Sequence, residues 1–189
     1  MGRNLALALA ALLGLAGGGL EAAGGFDRAL ELQGITLHVT CPNDSSLPTL
    51  TIVPGGLEID STPITRVVDG LVVGAEVADL NADGSPEVYV YIQSAGSGSY
   101  GSLAAYAVNR KRSLSEVYLP PISDDPEASR GYMGHDQFQV VESRLVRRFP
   151  VYRDGDANAH PTGGTREIQY TLVPGEAGWV LLADRVIGS

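Results

Sequence analysis

The chain has 189 residues, with 22 acidic against 13 basic side chains and a formal net charge of −9. That balance repels nucleic acid and anionic lipid surfaces and suits a cationic partner. The single cysteine, Cys41, excludes an internal disulfide and leaves a buried thiol or an intermolecular bridge as its roles.

The start of the chain reads as a signal peptide. Met1-Gly2-Arg3-Asn4 is a short, positively charged segment, residues 5–15 contain only Leu, Ala and Gly, and Ala22, Ala23 and Gly24 offer a cleavage site. The apolar run is too short and too rich in Gly and Ala for a good spanning helix, which needs about 20 strongly apolar residues. No cysteine follows it to carry a lipid anchor. Cleavage after residue 23 releases residues 24–189 with no membrane attachment. Arg3 and Glu21 leave together, so the charge is unchanged. About 165 residues make one domain, able to bury roughly 70% of its unfolded surface without covalent staples.

Almost nothing in this part has helical period. Residues 35–40 and 49–53 alternate apolar and polar side chains and read as strands. A further strand pair covers 65–77. Residues 87–93, Glu-Val-Tyr-Val-Tyr-Ile-Gln, form the strongest strand of the chain. Strands at 103–108, 114–118, 137–142, 145–152, 166–172 and 179–186 complete the set. Pro54-Gly55-Gly56, Asp83-Gly84, Asn109-Arg110-Lys111 and Pro174-Gly175-Glu176 supply the turns between them. Residues 120–130 are the one longer break, with a helical turn expected at 126–129. Many short strands with regular turns predict an all-β fold, an antiparallel β-sandwich with a protruding Gly/Ser-rich hairpin loop.

That loop is Ser94-Ala95-Gly96-Ser97-Gly98-Ser99-Tyr100-Gly101, between the strongest strand and the next. Its glycines permit left-handed backbone angles and close approach to a partner. Its side chains offer hydroxyls and one aromatic ring. It has neither the Gly-x-Ser-x-Gly elbow of a hydrolase nor the lysine of a phosphate-binding loop. From composition alone it could equally be a flexible tip with no function.

Ser97-Gly98-Ser99-Tyr100 resembles the Ser-Gly-x-Tyr loop of the periplasmic inhibitors of invertebrate-type (I-type) lysozyme. The preceding Asp79-Leu80-Asn81-Ala82-Asp83-Gly84-Ser85-Pro86-Glu87-Val88 is similar to that family's central hairpin, and the likeness is clearest over 67–107. The resemblance implies a non-enzymatic periplasmic protein whose loop plugs a lysozyme active site. Ser97 and Tyr100 would make the contacts, with Gly98 as the backbone enabler. It also implies a homodimer. The chemistry is compatible. Glycosidases of this kind use two carboxyl groups, one protonated and one ionised. A hydroxyl can donate to one or accept from the other without adding negative charge.

A second pattern lies at Asp79, Asn81, Asp83 and Glu87, which take positions 1, 3, 5 and 9 of a calcium loop with Gly84 at position 6. Position 12 is Val90, so the bidentate glutamate is missing. Two readings follow. One is a calcium- or carbohydrate-binding periplasmic module. The other is a metal-free turn in which Asp and Asn side chains satisfy backbone amides. The remaining candidates are quieter. His38, His135 and His160 are scattered, although His135-Asp136 could orient an imidazole. Residues 144–149 read as a strand with its arginines outward, and 109–112 as a basic hairpin tip. Tyr89, Tyr91 and Trp179 are expected in or beside the core, with a sugar platform as the alternative for the aromatics.

Overall fold

The computed structural model describes residues 24–188. The signal peptide expected over 1–23 lies outside the described residues. The strands are β1 (Phe26–Leu32), β2 (Ile35–Cys41), β3 (Thr49–Gly55), β4 (Ile64–Val67), β5 (Leu71–Ala78), β6 (Glu87–Gln93), β7 (Gly101–Asn109), β8 (Ser113–Tyr118), β9 (Gln137–Val141), β10 (Arg144–Pro150), β11 (Thr165–Pro174) and β12 (Trp179–Ile187). A single 3-10 turn, Ile122–Asp124, precedes a helical turn closed by the Ser129 amide on the Asp125 carbonyl at 2.9 Å.

Two sheets form, one in the order β1-β2-β3-β4 and one in the order β5-β6-β7-β8-β12-β11-β10-β9. The sandwich read from the strand pattern is thus present, with one departure. β12 returns to lie beside β8 in a short parallel pairing, Trp179 opposite Val117 and Val180 opposite Tyr118. The large sheet curls until its end strands approach. The Val140 amide of β9 donates to Glu76 of β5 at 2.8 Å, and Phe138 stacks on Tyr91 with centroids 5.9 Å apart.

The curl makes two cores, and the β6–β7 hairpin stands between them. Successive side chains of a strand point to opposite faces. On β6, Val88, Val90 and Ile92 therefore enter the core shared with the small sheet, while Tyr89 and Tyr91 enter the core inside the curled sheet. On β7, Ala104, Tyr106 and Val108 divide from Ala105 and Ala107 in the same way. A stem buried on both faces is a rigid base for the loop at its tip. Cys41 is buried in the first core, 2% exposed, and is not placed to bridge to another chain.

Candidate functional site

Residues 94–100 close the β6–β7 hairpin. The Ser94 amide donates to the Tyr100 carbonyl at 2.9 Å, the Tyr100 amide to Ser94 Oγ at 3.0 Å, and the Ser99 amide to the Gly96 carbonyl at 2.9 Å. Ser97 is exposed and Tyr100 is 48% exposed. Both residues singled out from the sequence therefore face outward. No histidine is hydrogen-bonded to the Ser97 or Ser99 hydroxyl among the described residues.

The glycines do not supply the left-handed angles expected of them. The left-handed residue of the loop is Ser99, at φ 43°, and not Gly96, Gly98 or Gly101. Gly98 is bare because the Tyr100 ring lies over it; a Cβ there would meet Tyr100 Cε2 at 2.5 Å. Gly101 is bare because Asp136 packs on it, where a Cβ would meet Asp136 Cβ at 2.5 Å. Two glycines thus let side chains settle against the backbone.

The loop is also braced from outside its own hairpin. The His135 amide donates to the carbonyls of Gly98 (2.7 Å) and Ser99 (3.2 Å), and Asn158 Nδ2 donates to the Ser97 carbonyl at 3.1 Å. The Gly101 amide donates to Asp136 Oδ2 at 2.7 Å. That carboxylate also accepts Tyr132 Oη–H at 2.6 Å on Oδ2 and Arg147 Nε–H at 2.6 Å on Oδ1, while Arg147 Nη2 donates to Tyr132 Oη at 2.8 Å. The Arg147 guanidinium sits 5.0 Å from the Tyr132 ring centroid, 5.3 Å from Phe138 and 5.9 Å from Phe149. Tyr132 in turn meets the Tyr100 ring edge-on at 5.7 Å. Burial opposes the Arg147 charge, but Asp136 and Tyr132 together hold it firmly protonated. A charge pair this deep is tolerable because its polar atoms are hydrogen-bonded.

Arg147 corrects one expectation. It was placed outward with its neighbours, yet it is 5% exposed. The alternation itself held the clue, since Leu145, Arg147 and Phe149 share one face of β10. Arg148, on the other face, pairs with Glu167 at 2.6 Å, and Arg144 pairs with Asp184. Asp136 serves Arg147 and the Gly101 amide. The His135 ring instead lies against Tyr152 and 3.5 Å from Asn158 Oδ1. Tyr132, Arg147 and Asn158 are loop-supporting residues that sequence spacing does not single out, and for Asp136 it suggests only a partner for the His135 imidazole.

At the opposite end of the stem, Asp79, Asp83 and Glu87 each bring a carboxylate oxygen within 4.8 Å of the others. Most of these oxygens already serve the turn. Asp79 accepts the amides of Asp83 (3.0 Å) and Gly84 (3.0 Å), and Asp83 Oδ1 accepts the Ser85 amide at 2.8 Å. Asn81 Oδ1 accepts the Asp83 amide at 3.1 Å. Glu87 is 1% exposed and accepts the Leu80 amide (2.9 Å) and Tyr89 Oη–H (3.2 Å). Burial raises its carboxyl from 4.5 to about 7, against the pull of those two donors.

Residues 61–127 match the family described as periplasmic lysozyme inhibitor of I-type lysozyme. The matched stretch takes in the acidic turn, the whole β6–β7 hairpin and loop 94–100, and it bears out the resemblance read from those residues. That family is one of inhibitors and not of enzymes. No curated protein and no solved structure matches the chain.

Proposed function

We propose that this chain is a periplasmic inhibitor of an I-type lysozyme and that loop 94–100 is the part that enters the enzyme's cleft. The observation that carries the reading is the pairing of exposure with fixation. Ser97 and Tyr100 face solvent, while the backbone beneath them is held by His135, Asn158 and Asp136. A loop already in its bound shape loses little conformational entropy on docking, which favours tight inhibition. A hydroxyl and a phenol can hydrogen-bond to both the protonated and the ionised catalytic carboxyl. The reading uses one copy of the chain, so the homodimer implied by the resemblance is not needed for it. The calcium-module alternative has less support, because the acidic turn is occupied with its own amides.

The test is a cell-wall lysis assay with the exported protein. Dose-dependent inhibition of an I-type lysozyme, with much weaker effect on lysozymes of other types, is expected. Undiminished lysis by every I-type enzyme tried would overturn the proposal.

A further inference from the structure

The end of β7 remote from the inhibitory loop carries a cleft of about 790 Å³. The nine residues of β7 span eight steps of about 3.3 Å, which separates the two ends by roughly 26 Å. Arg110 and Arg112 of the β7–β8 turn, Asn109 and Ser113 that flank it, Trp179, and Ser85 of the acidic turn line the cleft. Ile59 also lines it. Its segment is stitched to the basic turn by amides of Glu58 to the Lys111 carbonyl (2.8 Å) and of Asp60 to the Arg112 carbonyl (2.9 Å). The indole is fixed too, with Trp179 Nε1 donating to Asn109 Oδ1 at 3.3 Å and Asn109 Nδ2 to Ser115 Oγ at 3.1 Å.

The charges on the basic turn are out of keeping with the rest of the molecule. In a chain of net charge −9, Arg110, Lys111 and Arg112 stand consecutively, and none has a carboxylate partner among the described residues. Arg110 (φ 50°) and Lys111 (φ 57°) also occupy the two left-handed positions of a type I′ turn, where Asn and Gly are favoured. Long side chains there cost about 1 kcal/mol each, so the turn retains its cations against backbone preference. The one acidic lining residue, Asp83, is turned to other uses. Its Oδ1 accepts the Ser85 amide at 2.8 Å and its Oδ2 accepts Asn81 Nδ2 at 3.1 Å.

We propose that this cleft is a second binding site and that it takes an acidic saccharide. An indole presents an apolar face to the C–H face of a sugar ring. Ser113 and Ser85 offer hydrogen bonds to its hydroxyls. Arg110 and Arg112 are suited to a carboxylate, which guanidinium binds bidentately. A long polyanion fits less well, because the net charge of the whole molecule repels it. The proposal does not depend on the lysozyme reading.

Trp179 is the only tryptophan in the sequence, so its emission and its indole N–H resonance report on the cleft directly. N-acetylmuramic acid, a sugar with a free lactyl carboxylate, is titrated against the neutral sugar N-acetylglucosamine. The acidic probe is expected to give a saturable shift of both signals. Roughly tenfold weaker binding or worse is expected for the neutral sugar, and for the acidic probe with R110S/R112S. The double variant is expected to inhibit lysozyme as well as the parent, since the turn lies far from the loop. No saturable shift, equal affinity for the neutral sugar, or unchanged affinity in the variant would each overturn the proposal.

Discussion

The Gly101 amide donates to Asp136 Oδ2 at 2.7 Å, and through that bond a buried carboxylate on the β9 side of the sheet fixes where loop 94–100 rejoins its strand. The same carboxylate anchors Tyr132 and Arg147, so loop position and core electrostatics are one structure. Asp136→Asn leaves Arg147 buried without a counter-charge. It is expected to lower stability by about 3 kcal/mol. Urea unfolding measures the loss, and faster hydrogen exchange at the Gly101 amide measures the loosened loop. An unchanged midpoint together with unchanged exchange would show that the network does not hold the loop.

Ser97 is exposed and Tyr100 half-exposed, and among the described residues neither hydroxyl is hydrogen-bonded, so losing both hydroxyls should not disturb the fold. Ser97→Ala with Tyr100→Phe removes two hydroxyls, each worth about 1.5 kcal/mol when bonded to a charged group, or roughly a hundredfold in inhibition together. The melting temperature should stay where it is. Full inhibition by this double variant would remove both residues from the contact.

Gly98 and Ser99 separate close packing from flexibility. Gly98→Ala drives a methyl into the Tyr100 ring and should displace it, weakening inhibition with little change in stability. Ser99→Gly relieves a left-handed serine at φ 43° and should leave inhibition nearly intact. If glycine hinges were what mattered, Gly98→Ala would stiffen the loop without moving Tyr100. Ring-proton NMR resonances assigned to Tyr100, compared between the parent and Gly98→Ala, check the ring's environment.

Much of this was legible in the sequence, and the exceptions have physical causes. Strands β2 to β12 follow alternation and turn residues closely. β1 was missed because Phe26, Leu30 and Leu32 are its only large apolar side chains and it lies at a sheet edge, largely exposed. The return of β12 beside β8 is set by packing of distant segments, to which local pattern is blind. The exposure of Ser97 and Tyr100 was legible because a Gly/Ser-rich run between two strong strands marks a loop directly. Their supports, Asp136, Arg147 and Asn158, lie 35 or more residues away in sequence, and proximity in the fold alone connects them to the loop.

The acidic turn should be indifferent to calcium. Asp79, Asn81 and Asp83 are engaged as acceptors of backbone amides, and a cation would have to compete with those bonds. Thermal unfolding with millimolar calcium is expected to match unfolding in chelator. A calcium-dependent rise in melting temperature, lost in Asp83→Asn, would show instead that the three carboxylates gather around an ion.

Glu87 makes stability depend on pH in the unusual direction for a carboxylate. Its carboxyl is raised from 4.5 to about 7, mainly by burial, so the folded chain keeps a proton that the unfolded chain releases. Between those values the native state binds more protons, and stability falls as pH rises. The contribution is fully present below about pH 4.5 and lost by about pH 7, an interval worth about 3 kcal/mol. Glu87→Gln keeps an acceptor for the Leu80 amide and removes the titration. Urea unfolding in chelator should therefore show parent and variant alike near pH 4, with the variant more stable near pH 8. Parallel pH profiles for the two would mean that Glu87 ionises at its ordinary value despite being buried beneath the turn.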